Sequence, residues 1–524
     1  DEGRELFVHA GRVAERLGIE ITMGAGPGWT GSGGPWVRAG QSMQHLVASR
    51  VDVEGPTRLD APLPVPPPRR PFFGDVPPQM HEEWASWFQD VAVLAFPAPS
   101  VEWTLPDLDE KALVYRAPIS SQPGVKPFLA EPERFEPAPE GSVVPREGIV
   151  DLSSRLRPDG TLDWDVPEGR WTVLRLVARN NGASTRPAPV PGIGFECDKL
   201  DPAALDAHFA AYAGRLLEAV GPREPGKGWT LLHMDSWEMG AQSWTPALRA
   251  EFQRRRGYDP LPFYPAMQGL VVDGREVSER FLWDLRRTCQ ELVLENHAQR
   301  LKALARQHGL RLSIEPYDMT PLNDLDLGAV ADVPMCEFWS VGFDTAYSCQ
   351  EASSIAHVLG RPVVAAEAFT AARGEDWRLH PGALKDQGDW AFGLGINRLT
   401  FHTFAHKPDE GRPGMVMGPI GVHWDRGQTW WPLVEPYHRY LARCQQVLRQ
   451  GRTVADILYL MPEGAPNVFQ PPPSASTGSA RMPDRRGYSF DGCSADMLIR
   501  SAQARDGRVV FPSGASYRVL VLPS

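Results

Sequence analysis

The chain has 524 residues and a formal net charge of -11, with 42% hydrophobic and 23% charged residues. No uninterrupted apolar run approaches the roughly 20 residues a membrane span needs, so a soluble protein without a membrane span is expected. The charge forms no basic stripe, which argues against nucleic acid as a partner.

Six cysteines, Cys197, Cys289, Cys336, Cys349, Cys444 and Cys493, lack CxxC spacing and predict buried free thiols rather than a zinc knuckle or a disulfide framework. Residue 1 is Asp rather than Met, and Phe7, Ala10, Val13, Ala14 and Leu17 recur at helical steps, as expected of a fragment or processed form. The compartment stays open: periplasmic or extracellular if a signal peptide precedes, otherwise cytoplasmic.

"IEITM" (19–23) predicts a strand that runs into "GAGPGWTGSGGPW", a glycine loop carrying Trp29 and Trp36. "SMQHLVASRV" reads as helix-like. Residues 51–190 then change texture: a proline-rich stretch is followed by short β-like runs such as "DVAVLAFPAP" and "RWTVLRLVAR", and a β-rich insert is expected. Further strands are predicted at 193–197, 229–234, 311–315, 331–336, 362–366 and 397–402, with helical stretches between most of them. "SERFLWDLRRTCQELVLENHAQRLKALARQHG" is the longest of these.

Alternation of strand and helix predicts a parallel sheet with helices outside. Seven strands, with an eighth upstream of residue 1, would make a (β/α)8 TIM-like barrel over 1–50 and 191–450, interrupted by the insert at 51–190. A doubly wound sheet is the alternative, but no GxGxxG or GxxxxGK[ST] fingerprint is present. From about residue 453, "VADILYLMP" opens the start of a further α/β domain, assigned to 451–524, with a disordered-looking "PPPSASTGSARMPDRRG" inside it.

Active sites of such barrels lie at the C-terminal ends of the strands, and there the sequence repeatedly places acids. They are Glu196 and Asp198, Asp235 and Glu238, Glu315 and Asp318, Glu337, and Glu367, followed by His402 and His406. Any one acid after a strand is more often a helix cap or a solvated turn. Five successive strands ending this way are harder to dismiss, and Glu367 in "VVAAEAF" has no reason to carry charge unless the strand opens on a polar cavity.

Trp29, Trp36, Trp237, Trp244, Phe338, Trp339, Phe369, Trp377 and Trp430 lie beside these acids in sequence. Core packing explains some of them, while aromatic faces next to acids suggest a sugar-binding cleft. Paired carboxylates across such a cleft are what glycoside hydrolysis requires. There is no GxSxG or HExxH, and the histidines of "HTFAH" follow a strand, where hydrogen bonding is a stronger reading than metal binding. A hard cation such as calcium would use the surplus carboxylates.

"GPGWTGSGGPW", "GIGFECDKLD", "DSWEMGAQSWTPALRAEFQRRRGYDP", "SERFLWDLRRT", "EPYD", "ADVPMCEFW", "VVAAEAFT", "GDWAFGLGINRLTFHTFAH" and "GMVMGPIGVHWDRGQTWW" together resemble the α-L-rhamnosidases of glycoside hydrolase family 106. The resemblance implies a (β/α)8 catalytic barrel that releases terminal α-L-rhamnose with inversion and needs calcium (Ca2+). Carried onto this sequence, Glu238 would be the general acid, Glu367 the general base, and Glu337 would lie in the calcium region. Asp235, Glu315, Trp29, Trp339, His402, His406 and Asp198 are the candidate substrate contacts.

On this resemblance, the family's first barrel strand and later C-terminal domains are expected to fall outside the residues of this sequence. Carboxylate separation decides stereochemistry: roughly 6.5 to 9.5 Å leaves room for a water and inverts, about 5 to 5.5 Å retains. The alternatives are a non-catalytic carbohydrate-binding barrel and a glycosidase of the same fold acting on another sugar.

Overall fold

In the computed structural model, which describes residues 2–72, 74–114, 136–317, 321–372, 374–375, 377–405 and 420–523, the apolar runs converge on one sheet. Six strands, β1 (Glu20–Gly24), β2 (Gly228–Met234), β3 (Arg311–Ile314), β4 (Val333–Val341), β5 (Ala365–Ala371) and β6 (Arg398–Phe401), pair in chain order, all parallel. Helices Arg275–Leu292, Asp324–Val330, Tyr347–Leu359 and Pro381–Leu394 fill the connections, as parallel pairing requires. The sheet curls. Glu20 on one edge strand bonds Arg311 at 2.7 Å and Arg398, on the opposite edge strand, at 2.8 Å.

The architecture is therefore mixed α/β around a parallel half-barrel sheet, and the expected strand count is corrected. The strand foreseen at 193–197 is the pair Phe195–Glu196, and it bonds antiparallel to Gly33–Gly34 of the glycine loop rather than joining the sheet. Glycine makes this possible. A Cβ on Gly33 would sit 2.5 Å from the Phe195 carbonyl oxygen, and one on Gly194 would sit 1.9 Å from the Gly34 carbonyl.

"SMQHLVASRV" is strand, not helix. Gln44–Pro62 pairs along its length with Thr161–Asn180, which pairs in turn with Gln89–Pro97, and Val150–Asp151 completes a four-stranded antiparallel sheet. Val47, Val51 and Val53 are β-branched and favour this over helix, and side chains beyond Arg50 alternate between half-buried and exposed. Val93, Ala95, Leu162, Trp164 and Val173 pack its core.

Near the end of the chain, Ile457–Leu460 lies between Phe490–Cys493 and Val519–Val521 in a parallel sheet. The stretch read as disordered holds a hairpin, Ser476–Ser479 against Met482–Arg485, whose Pro483 carbonyl accepts from Trp390 Nε1 at 3.0 Å. Among the described residues no helix is long and apolar enough to cross a membrane. All six cysteines are free, and all but Cys444 are buried.

One buried ion pair fixes the glycine loop. Lys199 Nζ bonds Glu196 Oε2 at 2.7 Å with both side chains fully buried, and also donates to the Ser32 carbonyl at 3.0 Å and to Ser32 Oγ at 2.8 Å. Lys199→Met strands a buried carboxylate and is expected to cost about 3–5 kcal/mol, whereas Glu196→Gln combined with Lys199→Met recovers most of that loss. Urea unfolding of the two variants measures the difference.

Candidate active site

Parallel register brings the acids together. Glu337 of β4 and Glu367 of β5 are direct register partners, and Glu367 is opposite Thr400 of β6. Asp235 follows β2, and Glu315 follows β3 with its N–H donating to the Met234 carbonyl at 2.9 Å. Neighbouring strands are about 4.8 Å apart, so consecutive strand ends must present their carboxylates to one another.

At β2 and β3 the cluster is tightest: ligand-capable atoms of His233, Asp235 and Glu315 all lie within 4.8 Å of one another. His233 Nδ1 shares a 2.8 Å hydrogen bond with Ser313 Oγ, and its Nε2 is 3.5 Å from Asp235 Oδ2. Burial opposes the Asp235 charge, but His233 and the Ser236 N–H, at 2.8 Å, outweigh it and hold the carboxyl below its usual range. Glu315 goes the other way. Burial first, then the charges of Asp235, Glu367 and Glu337, push it well above the ordinary range. Tyr317 donates to Glu315 Oε2 at 3.2 Å, and Glu315 Oε1 has no hydrogen-bond partner among the described residues.

Glu367 owes its setting to a bulge. The register slips after Ala368, and Phe369 adopts φ 63°, a left-handed conformation uncommon for a bulky residue. In an unbroken strand, residues three apart face opposite sides. Here Thr370 returns to the side of Glu367 and donates to its Oε1 at 3.0 Å. His402 Nδ1 lies 3.7 Å from the same oxygen. Burial raises Glu367 above its ordinary value; His402 pulls it back in part, and Asp235 adds to the rise.

Glu238 stands on the loop after β2. Trp29 Nε1, from the glycine loop, donates to Glu238 Oε2 at 2.9 Å. The Arg186 guanidinium lies 5.8 Å from the Trp29 ring centroid and feels the Glu238 charge. Ser236 Oγ is 3.4 Å from both Asp235 Oδ1 and Glu238 Oε1, which joins this corner to the strand-end cluster.

The remaining candidates divide. Trp339, two residues after Glu337, is buried, its Nε1 has no hydrogen-bond partner among the described residues, and it packs edge-on to Phe343 at 4.8 Å. Asp198 is not brought to the cluster: buried, it accepts from Gln242 at 2.5 Å and from the Leu200 N–H at 2.8 Å. Burial raises it to about 6, and its hydrogen bonds tie its loop together. Glu196 is spent on Lys199. Trp237, Trp244, Phe338 and Phe369 belong to the core. His406 and Asp318 lie outside the described residues.

Four contributors were not foreseen: His233, Tyr317, Thr370 and Arg186. His233 was legible in principle, because it precedes Asp235 by two on one strand and so shares its face. Arg186 follows the antiparallel sheet, and no local pattern connects it to Glu238.

Comparison with known proteins bears on the family and the fold. A solved rhamnosidase from Novosphingobium sp. PP1Y superposes with a TM-score of 0.81 at 27% identity, over 99% of this chain and 60% of that one. A curated protein of Formosa agariphila, named "Putative beta-glucuronidase", is 34% identical over 523 residues, covering 99% of this chain. The present chain spans 41% of that relative's length. The glycoside hydrolase family 106 model, described as alpha-L-rhamnosidase, matches residues 1–524, and the chain therefore belongs to that family of glycoside hydrolases.

Proposed function

We propose that the protein is an α-L-rhamnosidase that releases terminal α-L-rhamnose by an inverting acid/base mechanism, with Glu238 as acid and Glu367 as base. The observation that carries this reading is the whole-chain family match, together with an acid-lined strand-end site that answers to it. Glu367 is half-buried with its proton affinity raised, which suits a base that must take a proton from water. Beside Glu238, Trp29 and Arg186 are placed to stabilise the carboxylate left once a proton has gone to the leaving oxygen. Asp235, with Glu315 and Trp339, would contact the sugar. The curled sheet, whose edge strands share Glu20, supports reading it as the larger part of a (β/α)8 barrel.

Calcium fits the donor set. Glu337 and Glu315 offer the oxygen ligands a hard cation prefers, and Glu315 Oε1 is buried with no hydrogen-bond partner among the described residues. Bound there, the ion would offset the repulsion between carboxylates and ligate sugar hydroxyls. If it is present, removal with EGTA lowers activity and calcium, added back, restores it. Activity indifferent to chelation would remove the ion from the proposal.

A second reading, a glycosidase for another sugar, is favoured by the name of the curated relative. A uronate would need Arg186 as its counter-ion within a strongly acidic site. Turnover of aryl α-L-rhamnoside against aryl β-D-glucuronide separates the two, and binding of either without hydrolysis would point to a carbohydrate-binding barrel.

Glu238→Gln and Glu367→Gln are each expected to lower kcat/KM by about 10²–10⁴. The loss in Glu238→Gln should shrink on nitrophenyl leaving groups, which need no protonation, while the loss in Glu367→Gln should not. Equal losses on good and poor leaving groups would remove Glu238 from the acid role. Proton NMR of the first-formed anomer reads inversion directly.

The acid limb of kcat/KM reports the base, which works only when deprotonated. Because Glu367 is raised, activity should fall with decreasing pH before the ordinary glutamate value of 4.5 is reached. His402→Ala removes the group that lowers Glu367, so the limb should move to higher pH; a limb that stays put or moves down excludes Glu367 as the titrating base.

A further inference from the structure

At the other end of the sheet, where β5 and β6 begin, lies a cavity of about 470 Å³, lined in part by Val364 and Asn397. Its remaining walls include the ends of the helices Tyr347–Leu359, Pro381–Leu394 and Glu435–Leu448 and the turn at Ser513. Arg361, Arg449, Arg452 and Arg485 line it, and among the described residues no Asp or Glu does.

None of the four arginines forms an ion pair with a carboxylate among the described residues, although paired arginines abound elsewhere in the chain. Arg449 spends Nε and Nη2 on the Asn397 carbonyl, and burial together with Arg398 disfavours its charge. Arg361 Nε is buried without a hydrogen-bond partner, and Arg452 has no described hydrogen bond or ion pair. Behind the wall, Asp491 is committed to His357 Nδ1 and the Tyr517 hydroxyl, each at 2.8 Å.

Helix C-termini account for part of this charge. Each carries the equivalent of about half a negative charge, so the three ending here offset roughly one and a half of four positive charges. The excess calls for an anion. Sulfate and phosphate esters match planar guanidinium groups through paired N–H donors, and Val364, Phe392 and Leu394 supply an apolar wall for the body of the ligand. The volume is that of a small-molecule site, in the range of about 300–1,000 Å³.

We propose that this arginine-lined cavity is a second binding site, separate from the carboxylate cluster, for a small molecule bearing a sulfate or phosphate ester. Gly514 belongs to the design: at φ 88°, a Cβ there would sit 2.4 Å from Arg452 Nη1, so glycine lets that guanidinium lie against the turn.

Titration calorimetry with inorganic sulfate and inorganic phosphate, against chloride at equal ionic strength and neutral rhamnose, tests the site. Saturable binding of either oxyanion, but not of chloride or rhamnose, is expected, and the tighter of the two identifies the ester. Arg452→Gln, an exposed substitution that removes no described bond, should weaken binding about tenfold while leaving glycosidase turnover unchanged. Arg449→Gln with Arg485→Gln should weaken it further. Oxyanion heats no larger than those of chloride, or affinity unchanged in both variants, would overturn the proposal.

Discussion

Carboxylates that repel one another stay together only where something stronger forbids their separation. Two unit charges 4 Å apart cost roughly 4 kcal/mol at an effective dielectric of 20, a large share of the roughly 5–15 kcal/mol that holds a domain folded. In this protein the parallel ladder is what forbids separation. Glu337 and Glu367 are register partners, and sliding one strand by a residue would turn its whole buried set to the wrong face. The repulsion is met by shifted proton affinities instead: Glu315 and Glu367 are raised, and Asp235 is held below its usual range by His233 and the Ser236 N–H. One backbone constraint thereby produces carboxyl groups of unequal acidity within a single site, the condition under which one can give a proton and another receive it.

The antiparallel sheet interrupts this ladder without disturbing it because it enters and leaves at one point. Gln44 and Asn180, at the two ends of the excursion, are paired residues, and Asn181 then binds the Met43 and Ala241 carbonyls. Arg186 follows at once, its carbonyl accepting from the Trp29 N–H at 3.0 Å. The excursion therefore returns a cation to Glu238 and backs the glycine loop that carries Trp29. The Glu196–Lys199 pair holds the same loop from beneath through Ser32.

Strands buried on both faces are written as near-continuous apolar runs, which is why "WTLLHM" and "RLSIE" could be placed from sequence, whereas "IEITM" is an edge strand, half-buried to exposed, placed by its β-branched residues before a glycine loop. Phe195–Glu196 could not be assigned its neighbour. Its pairing depends on glycines more than 150 residues earlier, and nothing local distinguishes it from a sheet strand. Gln44–Pro62 opens with helix-compatible spacing, and only its partner strand makes it β. The acids show the same limit. Asp198 and Glu238 give the same signal, a carboxylate soon after a strand, and tertiary structure alone separates a loop tie from a residue facing Trp29. The bulge at Phe369, which turns Thr370 toward Glu367, has no sequence signature.

A parallel sheet with helical crossovers also sorts charge by its own polarity. Strand C-terminal ends lead to helix N-termini, which favour acids, and helix C-termini gather at the opposite end, where they favour cations. Helix Tyr347–Leu359 shows both. Near its start, Ser348 bonds the backbone of Glu337, and near its finish His357 bonds Asp491 beside the arginine-lined cavity. Its body is buried on two sides: Cys349, Ala352 and Ala356 pack toward β4 and β5, Ile355 and Val358 toward Leu458 and Phe490. A helix held this tightly cannot shift at one end without being felt at the other. The acidic site and the cationic cavity are thus opposite poles of one rigid element, and the polarity that favours carboxylates at the strand C-terminal ends favours arginines at the far end.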